Sequence, residues 1–316
     1  MSIYPQTQFR FGYGGYTYWQ PDDGVTSSLM PQYEMATWNY TDNIALLPTI
    51  DASAVAHNRA LGVREATLDM RGYVSIDRGW QNIINTGFGL RANGQLTPWM
   101  ATISLGANTA WSPFTVGKIW HSNLNISATW AEDGGTAVVG YQLQSRILDP
   151  DNAYAAPVVA TPSTVGVQGT DFSTFIGCSL TNGAVTPVVY DSIKSFSISL
   201  DNKLKLTEAN DTYYPADRIA AACLPGIMTT SRVTITQLKG AVQSIPMTTQ
   251  NAPYPVNLII KSPDASHSLT LQMSLEFLRM NTVVGAENTV VQQAEYALFG
   301  SSSNGTTNWP IVATYA

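Results

Sequence analysis

The chain contains 316 residues, of which 44% are hydrophobic and only 12% are charged, a balance that excludes an intrinsically disordered protein. The net charge of −6 and the scattered cations exclude a surface built to grip nucleic-acid phosphates. No segment reaches the run of about 18 apolar residues that a membrane-spanning helix needs, and residues 1–20 lack the apolar core of a secretory signal. We therefore expect neither membrane insertion nor secretion by that route.

The first thirty residues are predicted to form an aromatic N-terminal arm. Seven aromatic side chains lie among Gly and Gln between Met1 and Gln20, which provides large contact faces but little aliphatic volume. Such a segment cannot build a core by itself, so we expect residues 1–30 to pack on another body. The rest of the chain, residues 31–316, is predicted to be a single β-domain.

The first half of that domain alternates apolar and polar residues. This period of two predicts a strand from Ala66 through Ile76 and a long hairpin over residues 119–148. The hairpin turn is expected at residues 132–135, where Asp-Gly permits the positive φ angles of a tight turn. Between strand and hairpin, the spacing of Trp80, Ile83 and Ile84 predicts a short helix over residues 80–86.

A Pro-rich loop, residues 149–168, is predicted to separate this half from a second strand-rich half. Alternation there predicts strands at residues 195–200, 233–235 and 268–277, the last being an unbroken run of ten residues. Short helices are predicted at residues 215–223 and 288–298.

The predicted fold class is therefore mainly β: an antiparallel β-sandwich or half-barrel of long strands with one to three short flanking helices. The order of the predicted elements also suggests a weak internal duplication of residues 60–148 and 188–280.

No catalytic constellation stands out. The three histidines and the two cysteines, Cys178 and Cys223, are isolated from one another in sequence, whereas zinc sites usually contain a close ligand pair. The chain lacks the local motifs of serine hydrolases, zincins and P-loop enzymes. We expect no enzyme activity, no cofactor and no metal. We expect both cysteines to be small buried residues in a reducing compartment, and a structural disulfide between them is the alternative.

The strongest family signal begins at Ile193, where Ile-Lys-Ser-Phe-Ser-Ile-Ser-Leu-Asp-Asn forms an alternating strand that ends at Asn202. Tyr-Pro-Ala-Asp-Arg-Ile follows at residues 214–219, and a second strand runs from Ser231 to Leu238. This succession resembles the major tail tube proteins of long-tailed bacteriophages, and the resemblance covers most of the chain from about residue 60. The arm has no counterpart in that family, and Ala220–Ala222 stands where related sequences often have Gly.

The resemblance implies a structural virion protein that assembles with itself into stacked rings, forming a hollow tube for DNA delivery. Hexameric rings are usual in that family, and a trimer with pseudo-sixfold symmetry is the alternative if the chain is duplicated. Other tail proteins would contact the tube ends, and DNA would pass without specific binding or any membrane partner. The protein would be made in the host cytoplasm and reside in the phage tail.

Within such a tube, two sets of residues acquire expected roles. Small uncharged polar side chains, with scattered acids, are expected to line the channel, because Lys or Arg there would pair with DNA phosphates. The predicted channel-lining positions are Asn123, Asn125, Ser127, Thr129, Ser195, Ser197 and Ser199. Phe11, Tyr16 and Trp19 in the arm are predicted to contact a neighbouring subunit or ring.

Two other functions remain open at this point. A different virion β-protein, such as a capsid-decorating or tail-tip component, has the same composition and strand pattern. A carbohydrate-binding β-sandwich is the third reading, since eight Trp and fifteen Tyr residues provide stacking surfaces for sugars.

Overall fold

The computed structural model confirms a mainly antiparallel β-fold with long strands. It describes residues 16–21, 28–29, 33–47, 58–74, 76, 78–89, 96, 98–104, 114–130, 137–149, 177–182, 184, 186–207, 222–224, 230–241, 243, 245, 253–262, 264–284, 289–299 and 311–316. Within this part of the chain there is one short helix, and it is too short to cross a membrane.

The strands of the first half and the helix have the following bounds: β1 Tyr16–Pro21, β2 Ser28–Leu29, β3 Tyr33–Leu47, β4 Asn58–Tyr73, α1 Arg78–Asn82, β5 Trp99–Ser104, β6 Phe114–Thr129 and β7 Gly140–Asp149. A π-helical turn, Ile83–Gly87, continues α1. The second half contains β8 Cys178–Thr181, β9 Ile193–Asp201, β10 Lys205–Thr207, β11 Ala222–Leu224, β12 Arg232–Leu238, β13 Tyr254–Lys261, β14 Ser268–Val284, β15 Val290–Leu298 and β16 Ile311–Tyr315.

One large sheet contains all of these strands except β10 and β11, which pair with each other. Its central path runs β3-β4-β7-β6-β9-β12-β15-β14, with every neighbouring pair antiparallel. The N-terminal parts of the long strands β6 and β14 pair with strands that are not on this path. There β6 pairs with β5, while β14 pairs with β13 and β16.

Two sets of five strands within this sheet have the same topology. The first set is β3, β4, β5, β6 and β7, and the second is β9, β12, β13, β14 and β15. In each set the strand order is first-second-fifth-fourth-third. The predicted duplication of 60–148 and 188–280 stays a prediction about the sequence, but the two sets repeat one strand arrangement.

The sets also share two irregularities of register. In the first strand, an extra residue interrupts pairing with the second strand at Glu34 in one set and at Lys194 in the other. In the fourth strand, pairing with the fifth is interrupted at Ser122 and at Leu278. Because a bulge adds one residue and bends its strand, these shared positions align the two sets residue by residue.

The core lies on one face of the sheet. Alternate residues of its central strands, such as Leu124, Ile198 and Ile235, belong to one buried apolar cluster that includes Trp80, Ile83 and Ile84 of the helical segment. The other face of the same strands is partly or fully exposed. Burial of one face only explains the alternation in the sequence, because successive side chains of a strand point to opposite faces.

The helical segment also connects the first set to the C-terminal strand. The Asn85 amide donates to the Ala313 carbonyl at 2.7 Å and its oxygen accepts from the Ala313 amide at 2.8 Å. The Gln81 side-chain oxygen accepts from the Tyr315 amide at 2.9 Å. These bonds satisfy backbone groups of β16 that would otherwise face outward, so they protect this strand from pairing with another chain.

Most predicted elements are confirmed, and one is wrong. The strands of the hairpin over 119–148 are β6 and β7, and the helix over 80–86 lies within residues 78–87. The predicted turn at residues 132–135 and residues 150–168 of the predicted Pro-rich loop lie outside the described residues. The helix predicted at 288–298 is instead the strand β15, because β12 and β14 pair with its two edges. At 215–223, Ala222 and Cys223 belong to the strand β11, and the rest of that prediction lies outside the described residues.

Candidate assembly surface

The seven positions predicted to line a channel are brought together by the pairing of β6 with β9. All seven lie on the face away from the core and remain partly or fully exposed. They face one another across the two strands, with Asn125 opposite Ser199, Ser127 opposite Ser197, Thr129 opposite Ser195, and Asn123 opposite Asp201. The Ser197 hydroxyl donates to the Asn125 side-chain oxygen at 3.0 Å. They therefore form one continuous patch, which we call the polar face.

The polar face extends over the neighbouring strands, where it carries charge of both signs. Besides small uncharged groups and acids, β4, β7, β12 and β14 contribute arginines that local sequence patterns do not place there, and the predicted lining of a channel stays a prediction. The charged residues on this face include Asp69, Asp201, Glu276 and Glu295 together with Arg71, Arg146, Arg232 and Arg279.

Two of these arginines are held by one carboxylate. Glu295 on β15 lies between Arg232 Nε at 3.3 Å and Arg279 Nη2 at 2.6 Å. Exposed ion pairs of this kind add little to stability. Their effect here is on the surface charge, since a carboxylate between two guanidinium groups competes with any phosphate that approaches them.

Asp201 adds a further negative group at the end of β9. Burial raises the pKa of its carboxyl group, but hydrogen bonds from Thr230 and Lys203 outweigh burial and leave the pKa below its usual value. Lys203 Nζ lies 3.1 Å from the same carboxylate. This cation is therefore also paired within the chain.

The junction between the two sets is completed by a buried asparagine. Asn202, which follows β9, donates through Nδ2 to the His121 carbonyl at 2.6 Å and to the Gly87 carbonyl at 3.0 Å. Its backbone amide donates to the Ser122 carbonyl at 2.9 Å. One residue of the second set thus holds the bulge of β6 and the end of the helical segment, which belong to the first set.

His121 itself is a core residue. Its Nδ1 lies 2.9 Å from the Ser145 hydroxyl, and its ring packs between Trp99 and Phe88, with ring centroids 5.1 and 6.1 Å away. Burial lowers the pKa of His121 to about 3. It is therefore neutral at physiological pH. His267, by contrast, is exposed and stacks on Tyr315, and His57 lies outside the described residues.

Of the three arm residues predicted to contact a neighbouring subunit, two lie within the described part of the chain. Phe11 lies outside the part of the chain that the structure describes. Tyr16 and Trp19 belong to β1, where their backbones pair with Ser104 and Ala101 of β5. The predicted contact with a neighbouring subunit therefore stays a prediction for all three residues.

A small cleft between β8 and β9 holds the thiol of Cys178, beside Tyr190 and Phe196. Burial raises the pKa of this thiol to about 12, so it is not a nucleophile at neutral pH. Among the described residues, His, Cys, Asp and Glu form no group that could hold a metal ion. The site that these residues build best is an extended surface, the polar face together with the ends of the sheet that carries it.

Comparison with known proteins finds neither a family model nor a curated protein that matches this chain.

Proposed function

We propose that this protein is a structural virion protein whose copies assemble into stacked rings, forming the hollow tail tube through which phage DNA is delivered. The observation that carries the proposal is the edge-to-edge connection of the two strand sets. They share one polar face, and among the described residues no strand pairs with the outer edge of β3 at one end of the eight-strand path or with the outer edge of residues 279–284 of β14 at the other.

Edge-to-edge connection favours a ring over a discrete monomer. Within the chain the fourth strand of the first set, β6, pairs with the first strand of the second set, β9. If the fourth strand at one end of a copy pairs in the same way with the first strand at the other end of the next copy, the contact is heterologous. Such a contact generates a closed ring if the rotation closes. Three chains supply six sets, the number in a hexamer of single-set subunits, so two sets per chain favour the trimer with pseudo-sixfold symmetry.

The polar face suits the wall of a conduit. Its central rows contain Asn, Ser and Thr, and two of its arginines are engaged by Glu295. Affinity for DNA arises mainly from cations that replace the counterions of free phosphates. A wall of mixed sign, in which a carboxylate engages two of the arginines, would hold the phosphates of the duplex less tightly and let the duplex pass, and this function requires neither a cofactor nor a catalytic site.

Electron microscopy of the purified protein tests the proposal. Negatively stained samples over a series of increasing concentrations should show hollow polymers of uniform width, and views along the axis should show six repeating units. Light scattering should assign three chains to each ring. Discrete solid particles would contradict the tube and favour another virion component, and a monomer that binds glycans would favour the carbohydrate-binding alternative.

A further inference from the structure

Because the bulges of the two sets align, a residue of one set can be matched to an equivalent residue of the other set. Residues 123–128 of β6 and 279–284 of β14 both follow the bulge of their fourth strand, so they occupy equivalent places. Residues 195–201 of β9 and 35–41 of β3 both follow the bulge of their first strand. Each residue that forms the β6–β9 junction thus has a counterpart at an outer end of the sheet.

The two junction strands and their counterparts differ in what covers them. Within the described residues, β9 pairs with the edge of β6 beyond the bulge, but no strand pairs with the equivalent edge of β14 or with the outer edge of β3. Neither of these segments contains Lys or Pro, residues that often protect a free edge from strand addition.

Three core-side residues at these edges, Tyr40, Met280 and Val284, are apolar and exposed. Leu124 and Leu200 face each other at the junction, and each is 1% exposed. Their counterparts Met280 and Tyr40 are 40% and 44% exposed. Val284, the counterpart of the buried Ala128, is 69% exposed. The open edges therefore carry the same kind of contact surface as the junction, but without a partner strand among the described residues.

We propose that a second copy of this chain covers these edges, and that residues 279–284 of one copy pair antiparallel with residues 36–41 of the next. The proposal rests on ring assembly as the function and adds the strands and their register. The β6–β9 register, carried over by the bulges, predicts these opposite residues: Arg279 and Thr41, Met280 and Tyr40, Asn281 and Asn39, Thr282 and Trp38, Val283 and Thr37, Val284 and Ala36.

This register matches both faces of the sheet at Met280 and Asn281. It places Met280 opposite Tyr40 on the core side, where the junction has two leucines. It places Asn281 opposite Asn39 on the polar face, where the junction has Asn125 opposite Ser199. A shift by one residue would put Met280 on the core side against a residue of the polar face, which the pattern of burial disfavours.

Disulfide trapping tests the register. Directly opposite residues in antiparallel strands have Cα atoms about 4.5–5.5 Å apart, within the range that a disulfide requires, whereas diagonal neighbours lie at about 7–8 Å. The variant Asn39→Cys/Asn281→Cys should form intermolecular disulfides on mild oxidation. Thr41→Cys/Asn281→Cys, displaced by two residues on the same face, is the matched control and should give at least tenfold less. Asn125→Cys/Ser199→Cys should form the same bond within one chain.

Peptide mapping by mass spectrometry distinguishes the introduced bond from any bond to Cys178 or Cys223.

A second pair of changes, made in the Asn39→Cys/Asn281→Cys protein, tests the core side. Met280→Asp should abolish the intermolecular bond, whereas Met280→Leu, which introduces the type of residue found at position 124, should retain it. Because Met280 is exposed in the single chain, neither change should alter the circular dichroism of the monomer.

The outcomes separate this pairing from the proposed function. Intermolecular disulfides in the predicted register, in rings that never stack into tubes, would support the pairing and contradict the tube. Tubes that form without this bond, or with equal yields for both cysteine pairs, would overturn the pairing alone. A protein that stays monomeric at every concentration and forms no intermolecular bond would overturn both.

Discussion

The two strand sets reach the same arrangement with different residues at the bend of their fourth strand. In the first set His121 precedes the bulge and contacts Ser145 on the fifth strand. In the second set the equivalent residues are Phe277 and Tyr296, whose rings meet edge to face with centroids 5.9 Å apart. The difference shows that strand order does not depend on the chemistry of the packing at this point.

In the first set, the segment around His121 also forms the connection to the second set. The His121 carbonyl accepts the Asn202 side chain, which also reaches the carbonyl of Gly87. Gly87 lies so close to the imidazole that an added Cβ would be 2.5 Å from His121 Cδ2. The first set therefore provides a crowded, hydrogen-bonded site that holds Asn202 of the second set.

The largest effect is expected from Asn202→Ala. This change removes the donor to two buried carbonyl groups and leaves both without that bond, which costs about 3 kcal/mol of unfolding free energy. Urea denaturation followed by circular dichroism measures it. The control Asn125→Ala removes a hydrogen bond on the exposed polar face and should cost less than about 1 kcal/mol. Equal losses in the two variants would show that Asn202 does not connect the sets.

A smaller loss, about 2 kcal/mol, is expected from Gly87→Ala. The new methyl group collides with the His121 ring, which Trp99 and Phe88 hold in place, so the packing must shift. Gly140→Ala is the control, since a Cβ there would lie 3.7 Å from the backbone oxygen of Gly72, an ordinary van der Waals contact. Thermal unfolding should show a clear drop for the first variant and little change for the second, and the reverse order would contradict the crowding.

The smallest effect is a pH dependence specific to the first set. The pKa of His121 is lowered to about 3 in the folded chain, below its ordinary value of 6.5, so stability is complete above pH 6.5 and falls as the pH falls toward 3. Between pH 6 and pH 5 this group alone should remove about 1 kcal/mol. The unfolding free energy, measured by urea titration at each pH, should show this extra loss.

The matched variant is His121→Phe, which introduces the type of residue found at the equivalent place in the second set. It cannot titrate, so its unfolding free energy should decline less between pH 6 and pH 5, whatever its stability at pH 8. If both proteins lose the same amount, the pKa of His121 is not lowered in the folded chain.

Local pattern was sufficient for much of the fold and for part of the surface. The alternation from Ser268 to Phe277 identified β14, and alternation in β6 and β9 placed seven polar residues on one side of their strands. Each of these predictions needs only the alternation of apolar and polar residues along one strand, because every second side chain of a strand lies on the same face.

Other features depended on neighbours distant in sequence. Val290, Val291 and Ala294 suit a helix as well as a strand, and only the presence of β12 and β14 on both sides makes the segment a strand. The arginines of the polar face come from strands that are remote in the chain, so their position on this face, such as that of Arg232 opposite Ser199, was not predictable. The bulges at Ser122 and Leu278 lie at residues of no shared type.

The sequence by itself determined that this protein folds into long antiparallel strands with one apolar and one polar face, because side-chain alternation is a local property of the chain. The tertiary structure alone decided which strands meet, where they bend, and which edges stay open. Those features depend on backbone pairing between residues far apart, and backbone groups are the same in every residue. The equivalence of β6 with β14 and of β9 with β3, on which the proposed contact between copies rests, is visible only at that level.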